Sequence, residues 1–492
     1  MKMTNLSSKL VSSSSYTVFV RGIDKISALV TVILLTRILE PTEFGIMAIA
    51  VIFVGIIEAL SRVSLEESLI QKSETSNEEF NVSWTYGRIL RSWIISILLF
   101  LFAPIIASFF GEERLEDILK ALILVQLFNG FENIGMIKYT KEMDLKYPFY
   151  LSLYNKFSRL IVTLISAVIL QNAWAFVYGY IAASLTSLIL SYYYSSYRPS
   201  LNFNLKLLKS QFNFSGWIMV TYILNSFYSS IDRSFVGKML NIATLGYYQI
   251  AVRFGNEFPG EIKSISNLVL FPFYSFNKEK IDETRSNFLL ITKLITFFSS
   301  CLLSFMYLSS DYLVILFLGN NWVEIISPMK ILIIASLFQI INSQSFPLFK
   351  GLGIPKYELI ITSVFIFSIF IGIYPLIIIY GLDGAALSVM MGHIVVMPLM
   401  LYFLIKNTGI RLSQLFRTLT YSIFSGILMA SSINFLLFIN DYSISWSILL
   451  QILTCAISVT ALIYYFLTKI LKDPDFLRAH RIFKREIYQR YF

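Results

Sequence analysis

Residues 37–53 read RILEPTEFGIMAIAVIF, and residues 238–254 read KMLNIATLGYYQIAVRF. At a constant offset of 201 and without a gap, Leu39 matches Leu240 and Gly45 matches Gly246. Ile49, Ala50 and Val51 match Ile250, Ala251 and Val252, Phe53 matches Phe254, and basic Arg37 matches Lys238. A fainter echo at offset 210 pairs Lys120, Leu122, Ile123, Leu127 and Phe128 with Lys330, Leu332, Ile333, Leu337 and Phe338. A duplicated half explains both. Chance similarity among apolar runs competes with that explanation, more strongly for the second echo than for the first.

Outward from these stretches, apolar segments of about 20 residues recur from Tyr16 to Phe466, the length that crosses a bilayer as a helix. They predict about fourteen spans, near 16–36, 45–65, 89–110, 118–138, 148–170, 174–196, 214–236, 246–270, 288–308, 327–349, 358–379, 384–405, 417–438 and 446–468. Unpaired backbone groups are too costly in hydrocarbon for anything but helices or closed barrels. Runs this long without period-two alternation exclude the barrel. The first echo joins spans 1–2 to spans 7–8, and the second joins span 4 to span 10. Six spans separate the copies, so both halves keep one orientation, the arrangement of parallel repeats with a substrate site between them. The expected fold class is therefore all-α integral membrane. Two homologous six-helix bundles, 1–196 and 197–405, surround a central cavity, followed by a helix pair (406–468) and a basic tail (469–492).

Orientation follows from the basic residues. With the N-terminus inside, the inner loops hold Lys138, Lys141, Lys146, Arg198, Lys206, Lys209, Lys350, Lys356, Lys406, Arg411 and Arg417. The tail adds Lys469, Lys472, Arg478, Arg481, Lys484, Arg485 and Arg490. The outer loops are acidic instead, with Glu112, Glu113, Glu116, Asp117, Asp311, Glu324 and Asp441. The positive-inside rule then places both termini in the cytoplasm. The acidic Glu66–Glu79 stretch is the exception among the inner loops.

Composition narrows the function classes. The chain of 492 residues is 56% hydrophobic and 14% charged, far from the roughly 25% charged residues of a soluble domain. Its net charge of +10 sits in loops and tail beside membrane segments without a nucleic-acid motif, so nucleic acid is not an expected partner. Cys301 and Cys455 lie in apolar runs and read as small buried hydrophobes, and two histidines, His393 and His480, cannot build a metal site. No GxxxxGK[ST] pattern offers ATP hydrolysis, and the largest loop, about 25 residues, is small for a catalytic platform. Neither an enzyme nor a resident cofactor is expected.

Segment 35–51, LTRILEPTEFGIMAIAV, resembles the opening signature of the polysaccharide transporter (oligosaccharide flippase) branch of the MOP superfamily. Segment 245–253, LGYYQIAVR, with LFPFYS at 270–275, resembles the span-8 region of that branch. The resemblance is carried best by the N-terminal half, whereas spans 11–14 match only in hydropathy. It implies transport of a lipid-linked glycan, usually a polyprenyl pyrophosphate oligosaccharide, from the inner to the outer leaflet of a prokaryotic cell membrane. Alternating access through a cationic cavity, commonly driven by an H+ or Na+ gradient, is implied too. Membrane lipid and other glycan-assembly membrane proteins are the implied partners. The competing class is a multidrug or other small-molecule exporter of the same superfamily, which would favour an acidic, aromatic cavity for cations.

Ionisable residues within spans are costly and should face a cavity or a partner. Span 1 carries Arg21, Asp24 and Lys25 on one helical face, either a self-paired lock or an inner-leaflet phosphate patch. Lys156 and Arg159 lie in span 5, Arg159 roughly 16 Å from the inner end and too deep to snorkel easily. Arg253, Glu257 and Glu261 follow one face of span 8, with Arg253 roughly 10 Å from the outer end, where snorkelling competes. Arg21, Lys25, Lys156, Arg159 and Arg253 are thus the candidate substrate cations, Arg being the fork that matches phosphate. Asp24, Glu58, Glu132 and Glu257 are the candidate ion-coupling carboxylates. His393 could titrate or be an interior histidine. Gln339, Asn342, Ser343 and Gln344 are either interhelical glue or sugar-facing donors. Arg88 and Arg91, opening span 3, read as interface anchors, and Asp232 with Arg233 as a loop-edge pair.

Overall fold

A computed structural model describes residues 27–478, apart from 62–64, 73–74, 143, 145, 258, 261, 263–269, 272, 276–279 and 471–472, and apart from the side chains of 67, 71 and 210–221. Arg21, Asp24, Lys25, Glu261, Lys472, His480, Arg481, Lys484, Arg485 and Arg490 lie outside the described residues. Among the described residues there is no strand, and nine helical segments are long and apolar enough to cross a membrane. The chain divides into two compact units, Met1–Gly246 and Tyr247–Phe492.

The first unit contains α1 (Ser27–Thr36), α2 (Pro41–Leu60), α3 (Asn77–Phe110), α4 (Arg114–Phe131), α5 (Lys146–Leu170), α6 (Trp174–Tyr194) and α7 (Leu205–Met239). The helix α8 (Ile242–Val252) begins here. Pro41 starts α2 at the position where a missing N–H costs nothing, and Glu43 occupies the first turn, where the helix dipole favours an acid. The helices α2 and α8 start at Pro41 and Ile242, residues that the offset of 201 pairs. A Cβ on Gly45 would strike the Ile242 carbonyl oxygen, and one on Gly246 would strike the Pro41 carbonyl oxygen. The contact is reciprocal: each glycine of the repeat accepts the helix start of the other copy, so backbone meets backbone with no room for a methyl group.

Two expected spans begin or end elsewhere, for local reasons that hydropathy does not weigh. Span 3 starts at Asn77, not near residue 89, because Ser76 and Glu79 form a capping box: Ser76 Oγ accepts from Glu79 N at 3.2 Å and Glu79 Oε2 from Ser76 N at 3.0 Å. Span 4 is not continuous to residue 138. The helix α4 stops at Phe131, and the buried Asn133 side chain takes Gly135 N (2.8 Å) and gives to the Tyr197 carbonyl (2.7 Å), fixing a break before Met136–Lys141.

The second unit contains α9 (Ile281–Leu308), α10 (Ile326–Ser343), α11 (Lys356–Thr408), α12 (Leu412–Ile439) and α13 (Trp446–Tyr465). The helix α11 is two helices joined at Gly381, whose φ of 57° and ψ of −127° only glycine adopts readily. The reversal lays the arms together, with Phe365 4.4 Å from the His393 ring, so the expected spans 11 and 12 are both present. The terminal pair α12–α13 belongs to this unit. Thr296 accepts from Ser422 Oγ (2.7 Å), Ser300 and Ser425 hydroxyls meet at 2.8 Å, and Ser304 bonds the Gly426 carbonyl. Around this zipper pack Phe297, Met429, Ile433 and Ile452. Small polar residues of this kind hold membrane helices where lipid supplies no hydrophobic drive. The outward side chains are apolar: Ile169 is 72% exposed and Ile379 66%, as a lipid-facing surface requires.

A buried latch closes the second unit. Lys293, 4% exposed on α9, donates to both oxygens of Asp473 at 2.8 Å and to Asp475 at 3.1 Å. Its ammonium lies 3.8 Å from the Tyr421 ring centroid, and Tyr421 OH donates to Asp473. Asp473 also accepts from Asp475 N and Phe476 N, capping the turn that follows Pro474. Burial opposes ionisation of Asp473, but Lys293, Tyr421 and the Phe476 N–H together hold its carboxyl below the ordinary value. A depressed carboxyl stabilises above the unfolded pKa and loses that contribution as pH falls through the folded one. Attachment of residues 473–478 is therefore expected to hold from neutral pH to about 4 and to fail below. Asp473→Asn should release the segment at neutral pH, at a cost of about 3–5 kcal/mol for stranding a buried charge. Proteolysis after residue 470 against pH reads both.

Candidate functional site

The site begins on the α5–α6 hairpin. Asn155 Nδ2 donates to the Ala183 carbonyl (2.9 Å) and Ser187 Oγ (2.6 Å), and Thr186 Oγ1 donates to Ser158 Oγ (2.9 Å). Gly179 gives way to Thr163, whose hydroxyl fills the place a Cβ would need. This seam fixes the rotation of α5, so Lys156 and Arg159, three residues apart, share the face beside it. The Arg159 guanidinium stacks on Tyr180, 3.9 Å from its ring centroid, and the residue is exposed. Among the described residues no carboxylate lies within ion-pair range of Arg159. Lys156 is half-buried. A guanidinium over an aromatic face gains a cation–π contact, and its N–H groups are donors of the kind that grip a phosphate.

Several other charged residues of the first unit make ion pairs within the protein. Arg88 Nε donates to Glu66 at 2.6 Å, and Arg88 Nη1 reaches Glu132 Oε2 at 2.9 Å and the Glu132 carbonyl at 3.3 Å. Trp84 Nε1 donates to the same carbonyl. Arg88 therefore ties α3 to the end of α4; it lies about three turns inside the helix, which starts at Asn77. Arg91 is likewise turned inward, donating to the Glu58 carbonyl (3.0 Å) and Ser61 Oγ (3.3 Å). Glu58 Oε1 accepts from Gln126 Nε2 at 2.8 Å. A cavity of about 260 Å³ opens here, lined by Glu58, Arg91, Tyr222, Asn225, Ser226 and Ser229.

In the second unit Arg253 and Glu257 bound a π-helical turn. Ser336 Oγ donates to the Gly255 carbonyl at 2.7 Å, and a Cβ on Gly255 would crowd Leu332, so the widened turn rests directly on α10. Arg253 is half-buried and Glu257 exposed. Gln339, Asn342, Ser343 and Gln344 are buried; Asn342 Nδ2 donates to the His393 carbonyl at 2.8 Å, and Gln344 Nε2 to the Ile340 carbonyl. The Asn342 contact joins α10 to α11, the interhelical reading for that residue, and His393, 4% exposed, is interior. Cys301 and Cys455 are free thiols, Cys301 buried.

Three polar clusters have no counterpart in the sequence reading. Glu43 is buried, accepting from Arg114 Nη1 (2.8 Å) and from Ala173 N (2.7 Å), while Arg114 also holds Glu112 at 2.7 Å. This joins the starts of α2, α4 and α6. The other two are the Lys293–Asp473 latch and the hydroxyl zipper of α9 and α12. Lys293, a charge in an apolar run, was the signal available for the latch.

Comparison with known proteins gives concordant results. The family described as "Polysaccharide biosynthesis protein" matches residues 34–327. An "Uncharacterized membrane protein in cps region" of Klebsiella pneumoniae is 26% identical over 414 residues, covering 81% of this chain and 82% of that protein. "Lipopolysaccharide biosynthesis protein WzxC" of Escherichia coli K12 is 23% identical over 376 residues, covering 75% and 74%. Among solved structures, "Lipid II flippase MurJ, inward closed conformation" superposes with a TM-score of 0.75 at 15% identity, covering 94% of this chain and 99% of that one. A multidrug resistance MATE family transporter of the MOP superfamily gives 0.57 at 15% identity, covering 78% and 94%. The fold is that of MOP superfamily transporters.

Proposed function

We propose that this chain, which belongs to the polysaccharide biosynthesis protein family, is a flippase that carries a polyprenyl-pyrophosphate oligosaccharide from the inner to the outer leaflet of a prokaryotic cell membrane. The observation that carries the reading is the Lys156–Arg159 face: two cations deep in a membrane helix, one stacked on Tyr180. A pyrophosphate bears at least two negative charges and would meet those donors in a low-dielectric setting, where each counts for more than in water. Arg253 in the second unit, and Arg21 and Lys25 outside the described residues, are the further candidate substrate cations. The second unit by itself carries an apolar groove of about 830 Å³ between α9, α12 and α13, walled by Phe298, Phe305, Met429, Ile457 and Tyr464, whose lining suits a hydrocarbon chain. The reading requires no bond to be made or broken.

Ion coupling is proposed at carboxylates of the chain, with Asp24, Glu58, Glu132 and Glu257 as the candidates; Glu132 pairs with Arg88, and Glu58 shares a pocket with Arg91. Both termini lie in the cytoplasm on this reading. Reporters fused after Lys206 and after Arg411 are expected to register cytoplasm, and one at Glu113 the outside; any reversal contradicts the orientation. The function is tested by reconstituting the chain in vesicles with the host's lipid-linked oligosaccharide. Glycan exposure at the far leaflet should depend on the chain and rise with an imposed H+ or Na+ gradient. Exposure at the protein-free rate would refute flipping.

A further inference from the structure

The 260 Å³ cavity of the first unit is a different kind of site from the cationic face of α5, and its chemistry selects a different part of the cargo. Tyr222, Asn225, Ser226 and Ser229 recur at spacings of three and four along α7, so the helix turns one polar stripe toward α2 and α3. From α2 comes Glu58, from α3 Arg91. Gln126 holds Glu58 Oε1 at 2.8 Å, and among the described residues Oε2 has no hydrogen-bond partner. The Glu58 carbonyl and Ser61 fix the Arg91 guanidinium.

Charge excludes the ionic occupants. One carboxylate and one guanidinium cancel, so a phosphate would face Glu58 and a metal cation would face Arg91. What remains is a dense set of acceptors and donors of both signs around a small volume, which suits a neutral molecule carrying several hydroxyl groups. The volume equals roughly eight or nine waters at about 30 Å³ each, below the usual 300–1,000 Å³ of drug-sized sites and about that of one pyranose ring with its hydroxyls.

The geometry points to a sugar-recognition pocket that takes one neutral hexose-sized residue of the cargo glycan, with Glu58 Oε2 accepting from sugar hydroxyls and Asn225, Ser226 and Ser229 completing the set. It rests on the flippase reading for its ligand class and adds the element that chooses among glycans, which a phosphate grip cannot do. A sugar that satisfies the set keeps its hydrogen bonds on leaving water, whereas one lacking a matched hydroxyl strands a polar group, a loss of tenfold or more.

The test uses the purified full chain in detergent and free monosaccharides: glucose, galactose, N-acetylglucosamine and glucuronate. Saturation-transfer NMR should show saturable binding of at least one neutral sugar, with glucuronate weaker. Gly55 also lines the cavity, and a Cβ there would meet nothing within 4 Å, so Gly55→Leu introduces bulk at the cavity wall from a position with room for the branch point. It should weaken the sugar signal at least tenfold with unchanged thermal unfolding, and Glu58→Gln should weaken it at least threefold. Absence of saturable binding by any neutral sugar, or binding that Gly55→Leu leaves intact, overturns the proposal. Sodium NMR broadening on the wild type that Gly55→Leu abolishes would overturn it in favour of a cation site. The assay involves no transport: a pocket that binds sugar in a chain that does not flip would refute the flippase reading alone, and flipping without Gly55-dependent binding would refute the pocket alone.

Discussion

Removing both cations of α5, as Lys156→Ala with Arg159→Ala, is expected to reduce flipping by about 100-fold or more while leaving insertion and thermal unfolding unchanged. Each charge-assisted hydrogen bond to phosphate contributes about 1.5–3 kcal/mol, and 1.4 kcal/mol corresponds to tenfold. Folding should survive, because the hairpin is held by Asn155, Ser158 and Thr186 on the adjoining face. Arg159→Lys separates charge from shape. It keeps the positive charge but loses the planar fork on Tyr180, so an intermediate defect is expected, and Tyr180→Leu should resemble it. Flipping in the double variant at the wild-type rate would remove these residues from the substrate path.

The second large effect belongs to the repeat itself. Gly45→Ala and Gly246→Ala should each destabilise the first unit by about 1–3 kcal/mol or more, the range for overpacking, because in each case the added Cβ collides with a backbone carbonyl that cannot rotate away. The two losses should be similar, since the collisions are equivalent under the repeat. The double variant should lose less than their sum, because one separation of α2 from α8 relieves both. Gly55→Ala, on the same helix with open space at its Cβ, should be close to neutral. Thermal unfolding in detergent measures all four. Additive losses would show that the two glycines are not one contact.

These cases indicate what the sequence could and could not convey. The correspondence of α2 with α8 was legible, though the starts were placed near 45 and 246, because a repeat compares a sequence with itself, and a glycine kept in both copies marks a place where bulk is not tolerated. The paired spans on either side of Gly381 were legible from hydropathy alone. The break at Glu132–Gly135 was not, because it depends on Asn133 reaching Tyr197, a partner on another segment. The early start of α3 was hidden for the opposite reason: Asn77–Trp84 is polar enough to look like loop, although Ser76 and Glu79 form a capping box that periodicity ignores.

The site was legible in proportion to the cost of its residues. Lys156 and Arg159 stood out because a charge in an apolar run needs a reason, but stacking on Tyr180 was invisible, since sequence does not say which turns of α5 and α6 face each other. Arg88 read as an interface anchor, and its pairing with the two carboxylates Glu66 and Glu132 was not foreseen. Cost alone therefore finds constrained residues without sorting substrate contacts from internal ion pairs. The stripe of Tyr222, Asn225, Ser226 and Ser229 has the spacing of a helix face, yet only its meeting with Glu58 and Arg91 gives it a chemical character.

The central claim is that the chain moves a completed lipid-linked glycan across the membrane, and the most direct measurement is the pool of that precursor in the native host after deletion of the chain. The account predicts accumulation of completed repeat units on the inner leaflet together with loss of the surface polymer, restored by the wild-type chain and not by the Lys156–Arg159 double variant. An unchanged precursor pool with intact surface polymer, in a host without a second transporter of this kind, would contradict it and turn the assignment toward small-molecule export.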